Sequence, residues 1–201
     1  MSNSWTHIFN ELKYELIDII QIISKSDKIY PHKSKIFSVF DKISPEDVRV
    51  VIIGSQPLPE SIGIGYSVPK DEEIPNAVRK LHTWLSGSHV GFRKPKHGCF
   101  DRWMENGILP LNIAMSVCDD FHNEIYIGFI AGILRAILEI NPQCVFVLMG
   151  RDAAILEDVV GEKRSFKCPD PATSWVNTCT VFKSVATFLE TNELEPIDWN
   201  L

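Results

Sequence analysis

No stretch of this sequence stays apolar for the roughly 20 residues that a helical membrane span needs. The N-terminus also lacks a secretory pattern. Instead, Trp5, Ile8, Phe9, Leu12, Leu16, Ile19, Ile20 and Ile23 keep to helical spacing. Basic residues are the minority, 20 Lys and Arg against 26 Asp and Glu, for a formal net charge of −6. Broad electrostatic adhesion to nucleic acid releases counterions through Lys and Arg, so this balance argues against it. Cysteine is sparse and unpaired: Cys99, Cys118, Cys144, Cys168 and Cys179 are odd in number and scattered, with no C-x-x-C pair and no metal-ligand spacing. A disulfide framework or a zinc site is therefore not expected, and a reducing compartment is. Repeats, low-complexity tracts and linkers are missing as well. These absences together predict a soluble, intracellular protein of the cytoplasm or nucleus, and with no metal cluster or phosphate-binding glycine loop in the sequence no cofactor is implied.

What is present suits one globular domain over residues 1–201, with 45% hydrophobic residues to build its core. Short apolar, β-branched runs alternate with helix-patterned stretches, the pattern of a parallel sheet covered on both faces. Strands are predicted at 48–53, 107–112, 144–149 and 164–168. Helices are predicted at 3–24, 34–42, 75–86, 124–140, 152–160 and 179–191, with Asn123 and Asp152 as N-caps and Pro142 ending the helix before it. The fold class is α/β, with a central four-stranded parallel sheet between helices.

In such a sheet, ligands bind at the carboxyl ends of the strands. Four segments should converge there: Gly54-Ser55-Gln56-Pro57-Leu58, Asn112, Gly150-Arg151 and Cys168-Pro169-Asp170-Pro171. The first turn has the geometry of an active site but no carboxylate, histidine or lysine. Two local basic clusters, Arg93, Lys94 and Lys96, then Lys163, Arg164 and Lys167, read as ordinary solvated loops or as a local basic face. The pair Gly63-Ile64-Gly65 lacks the remaining glycine and the following helix of a dinucleotide fingerprint.

Several of these segments resemble the family 1 uracil-DNA glycosylases. The resemblance rests on Val48 to Leu58, Gly63-Ile64-Gly65-Tyr66-Ser67-Val68, His97-Gly98, Trp103, Gly107-Ile108-Leu109-Pro110-Leu111-Asn112 and Pro196-Ile197-Asp198-Trp199. It runs in register from Tyr30-Pro31 to the C-terminus, and it implies the uracil-DNA glycosylase fold. It also implies a base site formed by Tyr66, which would stack on a flipped base, and Asn112, which would read its Watson–Crick edge, with Gly54 and Leu58 beside them.

The same resemblance locates what has changed. Gln56 stands where the family has the aspartate that activates water, and Leu58 where it has the tyrosine that excludes thymine. Cys168-Pro169-Asp170-Pro171-Ala172 stands where the family has His-Pro-Ser-Pro and a leucine wedge. An amide positions water but cannot take its proton, and a positioned acid–base group is worth about 10²–10⁴-fold. A donor aimed at a developing oxyanion is worth about 10²–10³-fold more, and a thiol is a weak donor.

The candidate catalytic set is thus Gln56, Cys168 and Asp170, and the DNA-facing set is Ser55, Arg151 and Ala172. Arg151 could contact phosphate or pair with Asp152 or Glu157. Three functions follow: a glycosylase-fold protein poor at excision that binds DNA or a replication or repair partner; an active glycosylase with altered mechanism or base specificity; or a protein-interaction module that has lost DNA binding.

Overall fold

The computed structural model describes residues 3–118 and 124–201. In chain order the elements are α1 (Asn3–Glu11), α2 (Lys13–Lys25), β1 (Ile29–Tyr30), β2 (Val50–Gly54), α3 (Asn76–Gly87), α4 (Asp101–Glu105) and β3 (Ile108–Asn112). They continue with β4 (Val117–Cys118), α5 (Glu124–Ile140), β5 (Val145–Met149), α6 (Arg151–Ala154), α7 (Glu157–Val160), β6 (Ser165–Cys168) and α8 (Val181–Thr191).

The main sheet has the order β3-β2-β5-β6 and is parallel throughout. Its two central strands, β2 and β5, are buried along their whole length. That is why they read as unbroken apolar runs rather than as alternating ones. The pleat sends alternate residues to opposite layers. Val51, Ile53, Leu109, Leu111, Phe146 and Leu148 join the core built with α1, α2 and α5. Val50, Ile52, Ile108, Val145, Val147 and Met149 join the core built with α3, α4 and α8. A separate antiparallel ladder pairs Ile29 with Cys118 and Tyr30 with Val117.

Several sequence expectations need correction. The N-terminal helix is interrupted at Leu12, whose φ of −93° and ψ of 22° separate α1 from α2. The helix expected over 34–42 is replaced by two 3-10 turns, Lys33–Lys35 and Ser38–Asp41, which bury Val39 and Phe40 without a full α turn. The stretch 152–160 forms two four-residue helices rather than one. Asp152 is not an N-cap: Gly150 holds that position, and the Asp152 side chain is used elsewhere. The expected cap Asn123 lies outside the described residues.

Trp103 and Trp199 lie against each other on the α3 side of the sheet, and the Trp103 indole N–H donates to the Trp199 carbonyl at 2.9 Å. Arg49, just before β2, donates to the carbonyls of Glu195 and Pro196. The C-terminal segment is therefore fastened beneath the sheet, leaving the strand ends to the loops. Among the described residues no helix is long and apolar enough to cross a membrane.

Candidate functional site

The site grows from the end of β2. After Gly54 the backbone does not splay away, because the Ile113 and Ala114 N–H groups donate to the Gly54 and Ser55 carbonyls at 2.9 and 3.0 Å. The turn is thus stitched to the chain leaving β3. Pro57 is buried within it, Leu58 is half-buried against the α3-side core, and Gln56 projects into solvent.

Gly54 is dictated by what lies above it. A Cβ at this position would stand 2.5 Å from Tyr66 Oη and 2.8 Å from Asn112 Oδ1. Tyr66 and Asn112, the two residues the resemblance assigns to a base site, therefore converge on one glycine. Tyr66 is 3% exposed and sits at φ +60°, a left-handed conformation that an aromatic side chain seldom adopts. It is held there by burial and by a hydrogen bond, its hydroxyl donating to Asp170 Oδ1 at 3.2 Å. Burial, then the charges of Asp170 and Cys168, keep the phenol well above its usual pKa, so it remains a donor.

Asn112 is 6% exposed, and its Oδ1 has no hydrogen-bond partner. A buried amide oxygen left unpaired carries a desolvation penalty of about 1–3 kcal/mol. The cavity that reaches Asn112, bounded also by Pro57, Gly65, Leu111 and Met115, is only about 10 Å³. That is room for one water at most and not for a pyrimidine ring.

Asp170 arrives from the loop after β6. It is 8% exposed, and its Oδ1 also accepts from the Ala172 N–H at 2.7 Å. Burial raises its pKa above the ordinary aspartate value. Hydrogen bonds from Ala172, Tyr66 and the Ser55 N–H oppose the rise, and the nearby charge of Asp152 adds to it. Gly150, at φ +89°, lets α6 approach this carboxylate: a Cβ there would lie 3.0 Å from Asp170 Cβ.

Ser55 bonds through its hydroxyl to Asp152. Arg151 is exposed and without an ion pair among the described residues; Glu157 pairs instead with Lys167 at 2.7 Å. Ala172 is exposed beside the same loop. The structure thus gathers Gly54, Ser55, Tyr66, Asn112 and Asp170, while Gln56, Arg151 and Ala172 face solvent around them.

The basic clusters contribute unevenly. Lys167 is paired with Glu157, and the Arg164 guanidinium donates to the Pro142 carbonyl. The Arg93 N–H donates to Asn200 at 2.7 Å, which puts the first cluster beside the C-terminal segment rather than at the strand ends.

Three residues that matter here escaped sequence reading. Asp152 is the partner of Ser55. Cys179 lines one groove with Cys168. Trp175 is 96% exposed in the loop after β6. Only Trp175 left a signal: an aromatic inside a Pro-, Ser- and Thr-bearing loop, outside any helical spacing. That loop is fixed at several points. Lys80 donates to the Ser174 carbonyl, Trp84 Nε1 to the Val176 carbonyl at 3.2 Å, and the Ser174 N–H to the Asp170 carbonyl at 2.9 Å. A rigid loop holds a large indole out in water.

A four-stranded parallel sheet whose first turn meets an asparagine and a buried tyrosine at one glycine defines a protein of the uracil-DNA glycosylase fold. Solved structures agree: a mimivirus UNG variant in complex with UGI superposes with a TM-score of 0.83 over 100% of this chain and 89% of that one, at 20% identity. Among curated proteins, the uracil-DNA glycosylase of Equine herpesvirus 2 is 26% identical over 94% of this chain and 83% of its own length. That of Blochmanniella floridana is 28% identical over 92% and 90%. No family model matches the chain. The chain is thus similar to curated uracil-DNA glycosylases along most of its length and has their fold.

Proposed function

We propose that this protein binds DNA through its strand-end loops, in replication or repair, and excises uracil poorly. The observation that carries this reading is Gln56. An exposed, neutral amide occupies the turn position where the resemblance puts a water-activating carboxylate. It cannot accept the proton of an attacking water, which removes about 10²–10⁴-fold of rate. The closed space around Asn112 supports the reading further. At about 10 Å³, that space holds no base unless the residues around it move.

Retention for binding fits the indole of Trp175, because an exposed aromatic on a preorganised loop is a stacking platform for unpaired bases, worth about 1–3 kcal/mol each. The relatives are named as glycosylases acting on uracil in DNA, which supports DNA as the ligand.

The decisive experiment incubates the protein with uracil-containing single- and double-stranded DNA and measures both released uracil and bound DNA. Binding without release is expected. Release at ordinary enzymatic rates would overturn the reading and favour an altered glycosylase.

Asp170 gives that second reading its foothold, as a buried carboxyl within the same cluster. If it served as the substitute catalytic group, Asp170→Ala would abolish the activity. Absence of DNA binding at low salt would instead favour a protein-interaction module.

A further inference from the structure

Cys168 ends β6, and Cys179 precedes α8 by two residues, so the two cysteines stand at the two feet of the loop that carries Trp175. Both side chains pack against the same α3-side hydrophobic cluster, close enough for the thiols to interact. Both also line one open groove of about 480 Å³, together with Lys167, Pro169, Thr178 and Thr180. Side by side and reachable from solvent, they differ from Cys144, which is wholly buried in the core.

We propose that Cys168 and Cys179 form a reversible dithiol–disulfide couple that clasps loop 169–178, with small disulfides of the glutathione class as co-reactant.

The chemistry follows from the asymmetry of the pair. Interaction with Cys168 stabilises the thiolate of Cys179 and draws its pKa below that of an ordinary thiol. The same interaction, with burial, holds Cys168 protonated. Cys179 is therefore the attacking group, since the thiolate is the nucleophile. It attacks one sulfur of the small disulfide, forming a mixed disulfide and expelling one thiolate. Cys168 then loses its proton to solvent and attacks Cys179 Sγ, expelling the second thiolate. Two protein thiols have become one disulfide, two electrons have passed to the co-reactant, and two small thiols have been released.

The loop needs little rearrangement for this step. Its backbone is already tied to Asp170, Lys80 and Trp84 in the dithiol state, and the reacting sulfurs are already neighbours. The couple stands independently of the binding reading above, because it is defined by the two thiols alone.

The test equilibrates the whole protein in glutathione buffers from fully reduced to mostly oxidised. Samples are quenched in acid, alkylated with iodoacetamide, and analysed by intact mass and peptide mapping. Two alkylatable thiols should disappear together, with a crosslinked peptide joining Cys168 to Cys179, and dithiothreitol should restore both. In Cys168→Ser the reaction should arrest as a glutathione adduct on Cys179. Should that variant fail to fold, the wild-type mapping still decides. The proposal is overturned if both thiols stay reduced in the oxidised buffers. It is equally overturned if glutathione adds to single cysteines without a crosslink, or if the crosslink forms only in urea.

Discussion

At the level of single side chains, the site is governed by three buried polar groups with unequal satisfaction. Asp170 has three donors yet remains costly to ionise. Its pKa is higher folded than unfolded, so its contribution to stability is complete below the unfolded value and is lost as pH rises through the folded one. Asp170→Asn keeps an acceptor for Tyr66 and Ala172 without the charge. We expect it to raise the melting temperature at pH 7, with the gain shrinking as the pH falls and the carboxyl becomes protonated. Thermal melts of both proteins across that pH range check this.

His82 has the opposite sign. It is fully buried beside Phe92 and Phe100, neither ring nitrogen has a partner, and burial brings its pKa down to about 4. The unfolded chain takes up this proton first as pH falls from about 6.5, so stability should drop by the order of 3 kcal/mol between there and pH 4. His82→Leu should flatten that part of the profile, as denaturant melts across the range would show. At Gly54, one added methyl meets Tyr66 Oη and Asn112 Oδ1. Gly54→Ala should therefore cost about 1–3 kcal/mol, read as a lower urea midpoint with an unchanged slope.

Among the elements, legibility followed the kind of order each one has. The strands β2, β3, β5 and β6 were readable to within two residues. Strands β2, β3 and β5 are fully buried apolar runs, which little else produces. The edge strand β6, half-buried Ser-Phe-Lys-Cys, was marked by its β-rich composition and its bounding proline. Helices α3 and α5 were equally plain from their spacing. Segment 34–42 was not, since its apolar residues pack correctly from 3-10 turns and helical spacing does not distinguish the two. The two-residue strands β1 and β4 are too short to carry any pattern. The convergence of Gly54, Tyr66 and Asn112 came from the resemblance. The pairing of Ser55 with Asp152 is set by how loops from separate strands meet, and the closeness of Cys168 and Cys179 by how one loop returns to the foot of its own strand, neither of which composition or spacing encodes. The loop after β6 yields its own prediction. Trp5, Trp84, Trp103 and Trp199 are all buried, so iodide quenching of tryptophan emission should report Trp175 almost alone. Trp175→Ala should abolish that quenching and weaken single-stranded DNA binding by roughly tenfold, while unfolding stays within about 0.5 kcal/mol.

For the molecule as a whole, charge is the constraint on any DNA complex. A chain of net charge −6, with Lys167 and Arg164 already engaged, has few cations to offer phosphates. Binding should then show a shallow dependence on salt, with a log–log slope no steeper than about 2 on single strands, as for two or three neutralised phosphates. Fluorescence anisotropy across a salt series measures it directly. The placement of β2 has one more consequence. Flanked by β3 and β5 and roofed on both faces, its amides should be among the last in the protein to exchange with deuterium, opening only when the whole fold opens. The turn that follows is rooted in this segment, while Gln56 itself projects beyond it into water. Replacement of that one exposed side chain carries almost no penalty in folding, so drift at position 56 is screened by activity, whereas Gly54, Pro57 and Leu58 beside it are held by packing.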